Sequence, residues 1–273
     1  MTALLVALAG AGLLWFSWRY GWWLPARSYS QPRILMYHMI SACPEGAKFR
    51  GLRVHPELFR RQIAFLAGQG WTFVTMAELM ACQGNTPEKT VAITFDDGYR
   101  DNLTHALPVL RAFNAKATLY LVVDRHDRDW SVAKKAHHNS GELAREPKLT
   151  DAEVQTLLDS GLIELGSHTL THPNLPASSL EQRWHEIQHS KTELEARFGV
   201  TVSSFAYPFG LYQPEDAELA RKAGYSNAVT VEEGIEDRVQ QRPFDLRRVK
   251  VSGKEGMLGF RMRLRRGFRG PLR

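Results

Sequence analysis

Short apolar runs alternate with amphipathic segments along residues 33–252. The runs have the length and β-branched content of buried strands, whereas several intervening segments repeat apolar residues at helical spacing and end at glycine. The predicted strands are RILMYH, WTFVTM, VAITFD, ATLYLVV, LIELGSH, SSFAYPFG, YSNAVTV and DLRRVKV, in chain order. This alternation predicts an α/β fold with a parallel sheet or barrel. In such folds, binding sites form at the carboxyl ends of the strands.

The predicted helices lie between these runs. The longest are PELFRRQIAFLAGQG, Ser179–Phe198 and Pro214–Ala223. Residues 124–148 are polar and show no periodicity, so they are predicted to form an insertion loop.

The opening segment, MTALLVALAGAGLLWFSW, is apolar and carries no charged side chain. Tryptophans and Arg19 follow it, which is the composition of a membrane–water interface. A cleaved signal peptide would need basic residues before the run, and a core helix is seldom apolar on all its faces. Residues 1–24 are therefore predicted to be a transmembrane anchor, and residues 25–32 a linker.

The distribution of basic residues bears on orientation and partners. Arg19, Arg27 and Arg33 follow the apolar run and no Lys or Arg precedes it, which favours the cytoplasmic side for the rest of the chain and leaves the periplasmic side open. The formal charge is +6, and residues 253–273 form a basic tail. Such a tail suits phosphate groups, and no nucleic-acid recognition motif is present, so membrane lipid is the expected partner.

Two adjacent carboxylates, Asp96 and Asp97, stand at the end of the predicted strand VAITFD. Ionised carboxylates are rarely buried without a partner, so an electropositive group is expected against them. Asp101 or Asn102 could cap the following helix, but that role would not account for the earlier pair. Neighbouring strand residues point to opposite faces unless the chain turns, and Gly98 permits a turn.

Two histidines, His168 and His172, follow the predicted strand LIELG. Their imidazoles can face one ion if the segment forms a helical turn, although two solvent-facing loop histidines would show the same spacing. With Asp97 they form the open set of two histidines and one carboxylate found in catalytic zinc and non-haem iron sites. No iron-oxygenase signature accompanies the set, so metal-assisted hydrolysis is the expected chemistry.

The segments TFDDG, HTLTH and AYPFG, in this order and spacing, resemble the motifs of polysaccharide deacetylases with a NodB-homology domain, carbohydrate esterase family 4. The resemblance implies a distorted (β/α) barrel over residues 33–252 that hydrolyses the N-acetyl amide of an amino sugar. It implies that Asp96 is the general base. It also implies that Asp97, His168 and His172 hold one divalent ion, typically Zn²⁺.

Two features depart from the usual family pattern. Ala206 stands where the third motif normally opens with an arginine that orients the base, and Arg248 either fills that role or lies on the surface. No histidine follows His189, so the late histidine that normally acts as general acid is missing. One branch, which resembles the poly-β-1,6-N-acetylglucosamine deacetylases, has this histidine at the start of the domain. In this chain, LMYHMI at the start of the domain contains His38, which is either this general acid or a buried core residue.

Three further residues are candidates for the sugar groove. The backbone N–H of Phe209 matches the oxyanion donor of the family. Tyr37 and Tyr207 could line the groove, although core packing would explain both equally well.

Two other functions fit parts of the sequence. HEIQH, from His185 to His189, matches the zinc-protease motif, but both histidines lie opposite the apolar face of their helix and are expected to face solvent. A membrane-tethered glycan-binding protein on a deacetylase scaffold is the second alternative. The presence of all the candidate catalytic residues favours an enzyme.

The combined expectation is a metal-dependent N-deacetylase in a bacterial inner membrane, anchored by a single span. Its substrate would be a cell-envelope polysaccharide or a lipid-linked glycan, such as an exopolysaccharide or a lipopolysaccharide precursor. The sequence does not distinguish between these glycans.

Overall fold

The computed structural model describes residues 2–130 and 140–270. All eight predicted strands are confirmed, as β1 Arg33–Tyr37, β2 Thr72–Val74, β3 Thr90–Asp96, β4 Ala117–Leu121, β5 Ile163–Ser167, β6 Ser204–Ala206, β7 Asn227–Glu233 and β8 Leu246–Lys250. The α-helices are α1 Thr2–Tyr20, α2 Pro56–Gly68, α3 Met76–Ala81, α4 Leu107–Ala112, α5 Glu142–Arg145, α6 Asp151–Leu158, α7 Leu180–Phe198, α8 Pro214–Lys222 and α9 Met257–Arg266. A π-helix, Asn102–Ala106, leads into α4.

The strands form a closed parallel barrel. Their order is β1-β8-β7-β6-β5-β4-β3, and β1 also pairs with β3, so these strands complete the ring. The first residues of β3, Thr90–Ala92, pair with β2, whereas Ile93–Asp96 pair with β4. The short β2 therefore lies outside the ring, which agrees with the expected distorted (β/α) barrel.

Alternate strand residues form two separate cores. One cluster combines residues from many strands of the ring: Ile34, Ala92, Tyr120, Ala206, Val229 and Leu246. Their chain neighbours, such as Leu35 and Ile93, pack with Phe59 and Ile63 of α2 in a larger cluster. Because side chains alternate along a strand, the first cluster fills the barrel. The second cluster, called the outer core below, lies between the barrel and the helices. Two steps beyond Leu246, Arg248 consequently points into the barrel.

The first helix does not support the expected membrane anchor. The apolar run forms α1, but no helix in residues 2–130 and 140–270 is long and apolar enough to cross a membrane.

The basic segment 253–273 is partly helical. Phe260 and Leu264 of α9 are buried in the outer core, and the Phe260 ring lies 6.5 Å from that of Phe65 in α2. Arg33 Nε donates to the Leu264 carbonyl oxygen at 2.8 Å, so this segment packs on the barrel. Residues 271–273 lie outside the described part of the chain.

Residues 131–139 of the predicted insertion loop lie outside the described part of the chain, and the described part of the loop includes the short helix α5. Arg53, which is buried, forms ion pairs with Glu142 at 2.9 Å and Glu146 at 2.6 Å. These ion pairs fix residues 142–146 beside the carboxyl end of the barrel.

Candidate active site

A cavity of about 360 Å³ opens at the carboxyl ends of the strands. Its polar lining includes His38, Asp96, Asp97, His168, His172 and Lys250. Its apolar wall includes Phe49, Leu52, Trp130, Leu143, Tyr207 and Phe209. The carboxylate pair and the two histidines predicted from separate segments therefore meet in one place.

Asp97, His168 and His172 form a buried cluster. Asp97 Oδ1 lies 3.5 Å from the Nε2 atom of each histidine. Asp97 has a φ of 79° and Gly98 a φ of 76°, so the chain turns directly after β3. This turn carries Asp97 away from the direction of Asp96, as expected for two adjacent carboxylates with different partners.

The imidazole of His168 has a defined tautomer. Its Nδ1 lies 2.7 Å from the carbonyl oxygen of Ala206, which can only accept a hydrogen bond, so Nδ1 carries the proton. The lone pair of Nε2 is thereby directed at Asp97. Backbone carbonyls commonly orient metal-binding histidines in this way.

The protonation states of the cluster suit a metal. Burial raises the pKa of Asp97, but the neighbouring imidazoles, His168 first, lower it by more, to below its ordinary value. Burial and the neighbouring His168 lower the pKa of His172 to about 3. An ionised carboxylate and a neutral imidazole are the forms that coordinate metals.

The spacing of the cluster fits a divalent ion. Two ligand atoms about 2.1 Å from a tetrahedral ion lie roughly 3.4 Å apart, close to the 3.5 Å separations observed here. Within the described residues, this is the one group of three His, Cys, Asp or Glu side chains close enough to hold an ion. Two nitrogens and one oxygen leave further coordination positions open, as in catalytic zinc sites.

Asp96 forms a buried, bidentate ion pair with Arg248. Nη1 and Nη2 of Arg248 each lie 2.7 Å from one carboxylate oxygen of Asp96. Nη1 also donates to Thr94 Oγ1, and Nε donates to the carbonyl oxygen of Thr230. Burial raises the pKa of Asp96, but the Arg248 guanidinium lowers it by more, so the net pKa falls below its ordinary value. Arg248 is the electropositive partner expected for the first carboxylate.

His38 lies at the end of β1 on the other side of Asp96. Its Nε2 is 3.9 Å from Asp96 Oδ2, and its side chain is 16% exposed to the cavity side. Burial lowers the pKa of His38, while Asp97 and Asp96 act in the opposite direction. The π-helix fixes the backbone here, because Asn102 Nδ2 donates to the His38 carbonyl oxygen at 2.9 Å.

The three groove candidates have different positions. Tyr207 and Phe209 line the cavity, and the Phe209 ring lies 4.4 Å from that of His172. The Tyr207 hydroxyl donates to the carbonyl oxygen of Phe244 at 3.0 Å. Tyr37 is fully buried in the outer core, where its hydroxyl donates to Gln62 Oε1 at 3.0 Å. Strand alternation directs Met36 to the cavity and Tyr37 away from it, so Tyr37 has the core position that was the alternative to a role in the groove.

Trp130 is a cavity residue that the sequence analysis missed. Its ring lies 4.9 Å from that of His172 at an interplanar angle of 33°. Lys148 Nζ lies 4.8 Å from the Trp130 ring and 4.4 Å from the Tyr99 ring, so a buried cation stabilises both aromatic side chains. A single tryptophan in the polar segment 124–148 was the available signal.

The H-E-x-x-H segment forms no metal site among the described residues. His185 and His189 are exposed, as predicted, and their rings stack 4.2 Å apart. Glu186 hydrogen bonds with residues 170 and 171. The protease alternative therefore has no support in the geometry.

A family model described as polysaccharide deacetylase matches residues 83–228, which is more than half of the chain. The chain belongs to the polysaccharide deacetylase family. The Bacillus subtilis protein YxkH, which carries the name of this family, is 33% identical over 240 residues, or 87% of this chain and 76% of that protein. The polysaccharide deacetylase family consists of hydrolases, so the chain is an enzyme of the N-deacetylase class.

Two further polysaccharide deacetylases illustrate the relationship. The poly-β-1,6-N-acetyl-D-glucosamine N-deacetylase of Escherichia coli is 28% identical over 222 residues, which span 70% of this chain and 33% of that enzyme. The crystal structure of a polysaccharide deacetylase from Bacillus cereus superposes with a TM-score of 0.70 at 27% identity, covering 85% of this chain and 68% of that one. The barrel described above is thus the fold of this deacetylase family.

Replacing Arg248 by methionine should destabilise the deacetylase strongly at neutral pH. The substitution leaves the Asp96 carboxylate buried without its partner, which costs about 3–5 kcal/mol of unfolding free energy. Because the pKa of Asp96 is lowered in the folded wild type, the pair stabilises the protein above the unfolded pKa, and this stabilisation is lost as pH falls through the folded pKa. The stability gap between Arg248→Met and wild type should therefore narrow on acidification.

Arg247→Met provides the control for denaturant unfolding, measured at pH 7 and at a pH below 3.8, the ordinary pKa of Asp96. Arg247 is the chain neighbour of Arg248 but forms a partly exposed ion pair with Glu232 at 3.2 Å. Its loss should change the unfolding free energy by no more than about 0.5 kcal/mol. Equal destabilisation by both substitutions would show that the buried ion pair has no special role.

Proposed function

We propose that the chain is a metal-dependent hydrolase that removes the N-acetyl group from an amino sugar of a cell-envelope glycan. The observation that supports this most is the position of the Asp97–His168–His172 cluster beside the Asp96–Arg248 pair in one cavity. A divalent ion held by the cluster, most readily Zn²⁺, would supply a Lewis acid for the acetyl carbonyl and favour deprotonation of an attacking water.

Asp96 is positioned to act as the general base. Its ion pair with Arg248 keeps the carboxylate ionised and fixes both of its oxygens. Asp96 takes a proton from the water that attacks the acetyl carbon. The backbone N–H of Phe209, in the cavity wall, stabilises the negative oxygen that forms there.

His38 is positioned to act as the general acid. It lies 3.9 Å from Asp96 on the cavity wall and donates its proton to the sugar nitrogen as the C–N bond breaks. Burial lowers the pKa of His38, while Asp97 and Asp96 act to raise it, so the two carboxylates favour the protonated imidazole that a general acid needs. The hydrogen bond from Asn102 to the His38 backbone keeps the side chain at this place.

An N-acetylglucosamine polymer is the substrate that we propose first. The Escherichia coli relative is named for the poly-β-1,6-linked polymer, and its similarity covers 70% of this chain. The wall formed by Phe49, Leu52, Trp130 and Leu143 offers an apolar surface for a sugar face and an acetyl methyl group. A lipid-linked glycan with the same terminal sugar would meet the same groups.

Removing both histidine ligands should abolish metal binding and deacetylation together. The purified wild type should bind about one zinc ion per chain and release acetate from N-acetylglucosamine oligomers. His168→Ala combined with His172→Ala should lose both, because one carboxylate cannot hold the ion. Elemental analysis measures the metal, and mass spectrometry measures the loss of each acetyl group.

His185→Ala combined with His189→Ala is the matched control, since it also removes two histidines spaced four apart. This variant should retain metal and activity. Full metal occupancy in the His168/His172 double variant would exclude the proposed site. Metal binding without release of acetate from any oligomer would leave the metal site intact and exclude the substrate.

His38→Ala should retain the metal and the fold but lose activity on the amide by a factor of about 10²–10⁴, the usual contribution of general acid catalysis. The loss should be smaller for an aryl acetate, whose leaving group needs little protonation. Metal content, melting temperature and both rates are measured on the same variant. A lowered melting temperature with an equal loss on amide and ester would instead identify His38 as a core residue.

We also propose that α1 contacts an anionic lipid surface. Many of its large apolar side chains are exposed, for example Val6 at 72% and Leu14 at 73%. Such contiguous apolar patches usually mark a contact surface. Arg265 of the basic segment donates to the carbonyl oxygen of Trp22, so cationic side chains lie beside the tryptophans that follow α1. This combination of aromatic and basic groups suits a lipid headgroup layer.

Vesicle flotation tests this contact. The full chain should float with phosphatidylglycerol vesicles more than with phosphatidylcholine vesicles, and salt should reduce the difference. Trp15→Ser with Trp18→Ser should weaken binding to both vesicle types, whereas Arg265→Gln with Arg266→Gln should reduce only the preference for the anionic lipid. A wild-type chain that stays in solution with both vesicle types would contradict the proposal.

A further inference from the structure

The loop that carries the two histidines has an unusual backbone. Thr169 has a φ of 70° and His172 a φ of 59°, and neither residue is glycine. Side chains with a Cβ, and β-branched threonine above all, rarely adopt positive φ unless the surroundings enforce it. Contacts outside the loop must therefore hold residues 168–172 in the conformation that aims both imidazoles at Asp97.

Glu186 of α7 supplies such contacts. Its Oε2 accepts hydrogen bonds from the backbone N–H groups of Leu170 and Thr171, both at 2.9 Å. Its Oε1 accepts from the Thr171 hydroxyl at 2.6 Å. One carboxylate thus binds three donors midway between His168 and His172.

The opposite side of the loop is held by the chain that follows β4. The backbone N–H of Val123 donates to the Thr169 carbonyl oxygen at 3.2 Å, and that of Asp124 donates to the Leu170 carbonyl oxygen at 2.8 Å. The chain after β4 therefore binds the carbonyl groups of Thr169 and Leu170, whereas the N–H groups of Leu170 and Thr171 are bound on the side of α7. Glu186 is the acceptor for both of these N–H groups.

The helix that carries Glu186 is itself well fixed. A capping box between Ser179 and Gln182 defines the start of α7, and Ile187 and Leu194 are buried in the outer core. The carboxylate consequently sits on a rigid element, which defines the positions of its hydrogen-bond partners more closely than a loop residue would.

We propose that Glu186 is a positioning residue for the metal site, and that it keeps His168 and His172 at the separation that one divalent ion requires. The proposal rests on the metal site of the proposed function and is independent of the substrate. It also gives the glutamate of the H-E-x-x-H segment a role that does not involve the histidines on either side of it. Charge-assisted hydrogen bonds to backbone N–H groups are stronger than neutral ones, so a carboxylate suits this role.

Zinc affinity and amide exchange test the proposal in the full chain. Zinc dissociation constants are measured by competition with a chromophoric chelator for wild type, Glu186→Ala and Glu186→Gln. Hydrogen exchange is measured on the metal-free proteins in the peptide covering residues 168–173. Glu193→Ala is the matched control, because Glu193 lies on the same helix and pairs only with Arg197, at 3.4 Å, in the contacts described.

Glu186→Ala should weaken zinc binding by about 10- to 100-fold, the usual effect of removing a group that orients metal ligands. It should also speed exchange at Leu170 and Thr171. Glu186→Gln should recover part of the affinity, because its amide oxygen still accepts from the two N–H groups. Glu193→Ala should change neither measurement.

Zinc affinity in Glu186→Ala within about threefold of wild type, or an equal loss in Glu193→Ala, would overturn the proposal. If Glu186→Ala does not fold, Glu186→Gln decides: its weaker hydrogen bonds should cost roughly threefold to tenfold in affinity, and an unchanged affinity would overturn the proposal. A wild-type chain that binds no zinc would overturn the metal site as a whole. Normal zinc binding by the Glu186 variants would overturn this positioning role alone.

Discussion

The ion pair between Asp96 and Arg248 is the interaction on which the rest of the site depends. It joins the end of β3 to β8 across the interior of the barrel, where neither charge has access to bulk water. A buried charge without a partner would be far less favourable than the pair, so the folded barrel needs both side chains in place. When the ring of strands closes, Arg248 of β8 comes to lie against Asp96 of β3 and keeps the carboxylate of the proposed base ionised.

The second carboxylate, Asp97, points to a different part of the cavity. A turn with positive φ at Asp97 and Gly98 directs this side chain toward the histidine loop. There a divalent ion would be its partner, as Arg248 is the partner of Asp96. The guanidinium of Arg248 pairs with the first carboxylate, and the proposed divalent ion would pair with the second, which would limit the repulsion between them. The barrel interior and the histidine loop together therefore account for two neighbouring negative charges at the end of a buried strand.

Sequence reasoning identified the elements whose signal is local. Strand runs are visible from composition alone, and the candidate metal ligands Asp97, His168 and His172 follow strands whose ends meet in any parallel barrel. The direction of Tyr37 depends on which strand face points inward, which a fully apolar strand does not reveal. Trp130 and Glu186 act through partners far away in the chain, so their roles became visible only with the contacts.

The hydrogen bond between His168 and Ala206 uses the backbone of position 206 and not its side chain. His168 uses the carbonyl oxygen of position 206, a group that every amino acid provides. The guanidinium that pairs with Asp96 enters from β8, at Arg248, whereas the family resemblance of the motifs implies an arginine at position 206, where alanine stands. The base needs a guanidinium at its two oxygens but no particular strand to deliver it. The guanidinium can therefore come from β8 without any change in the residues of the Asp97–His168–His172 cluster.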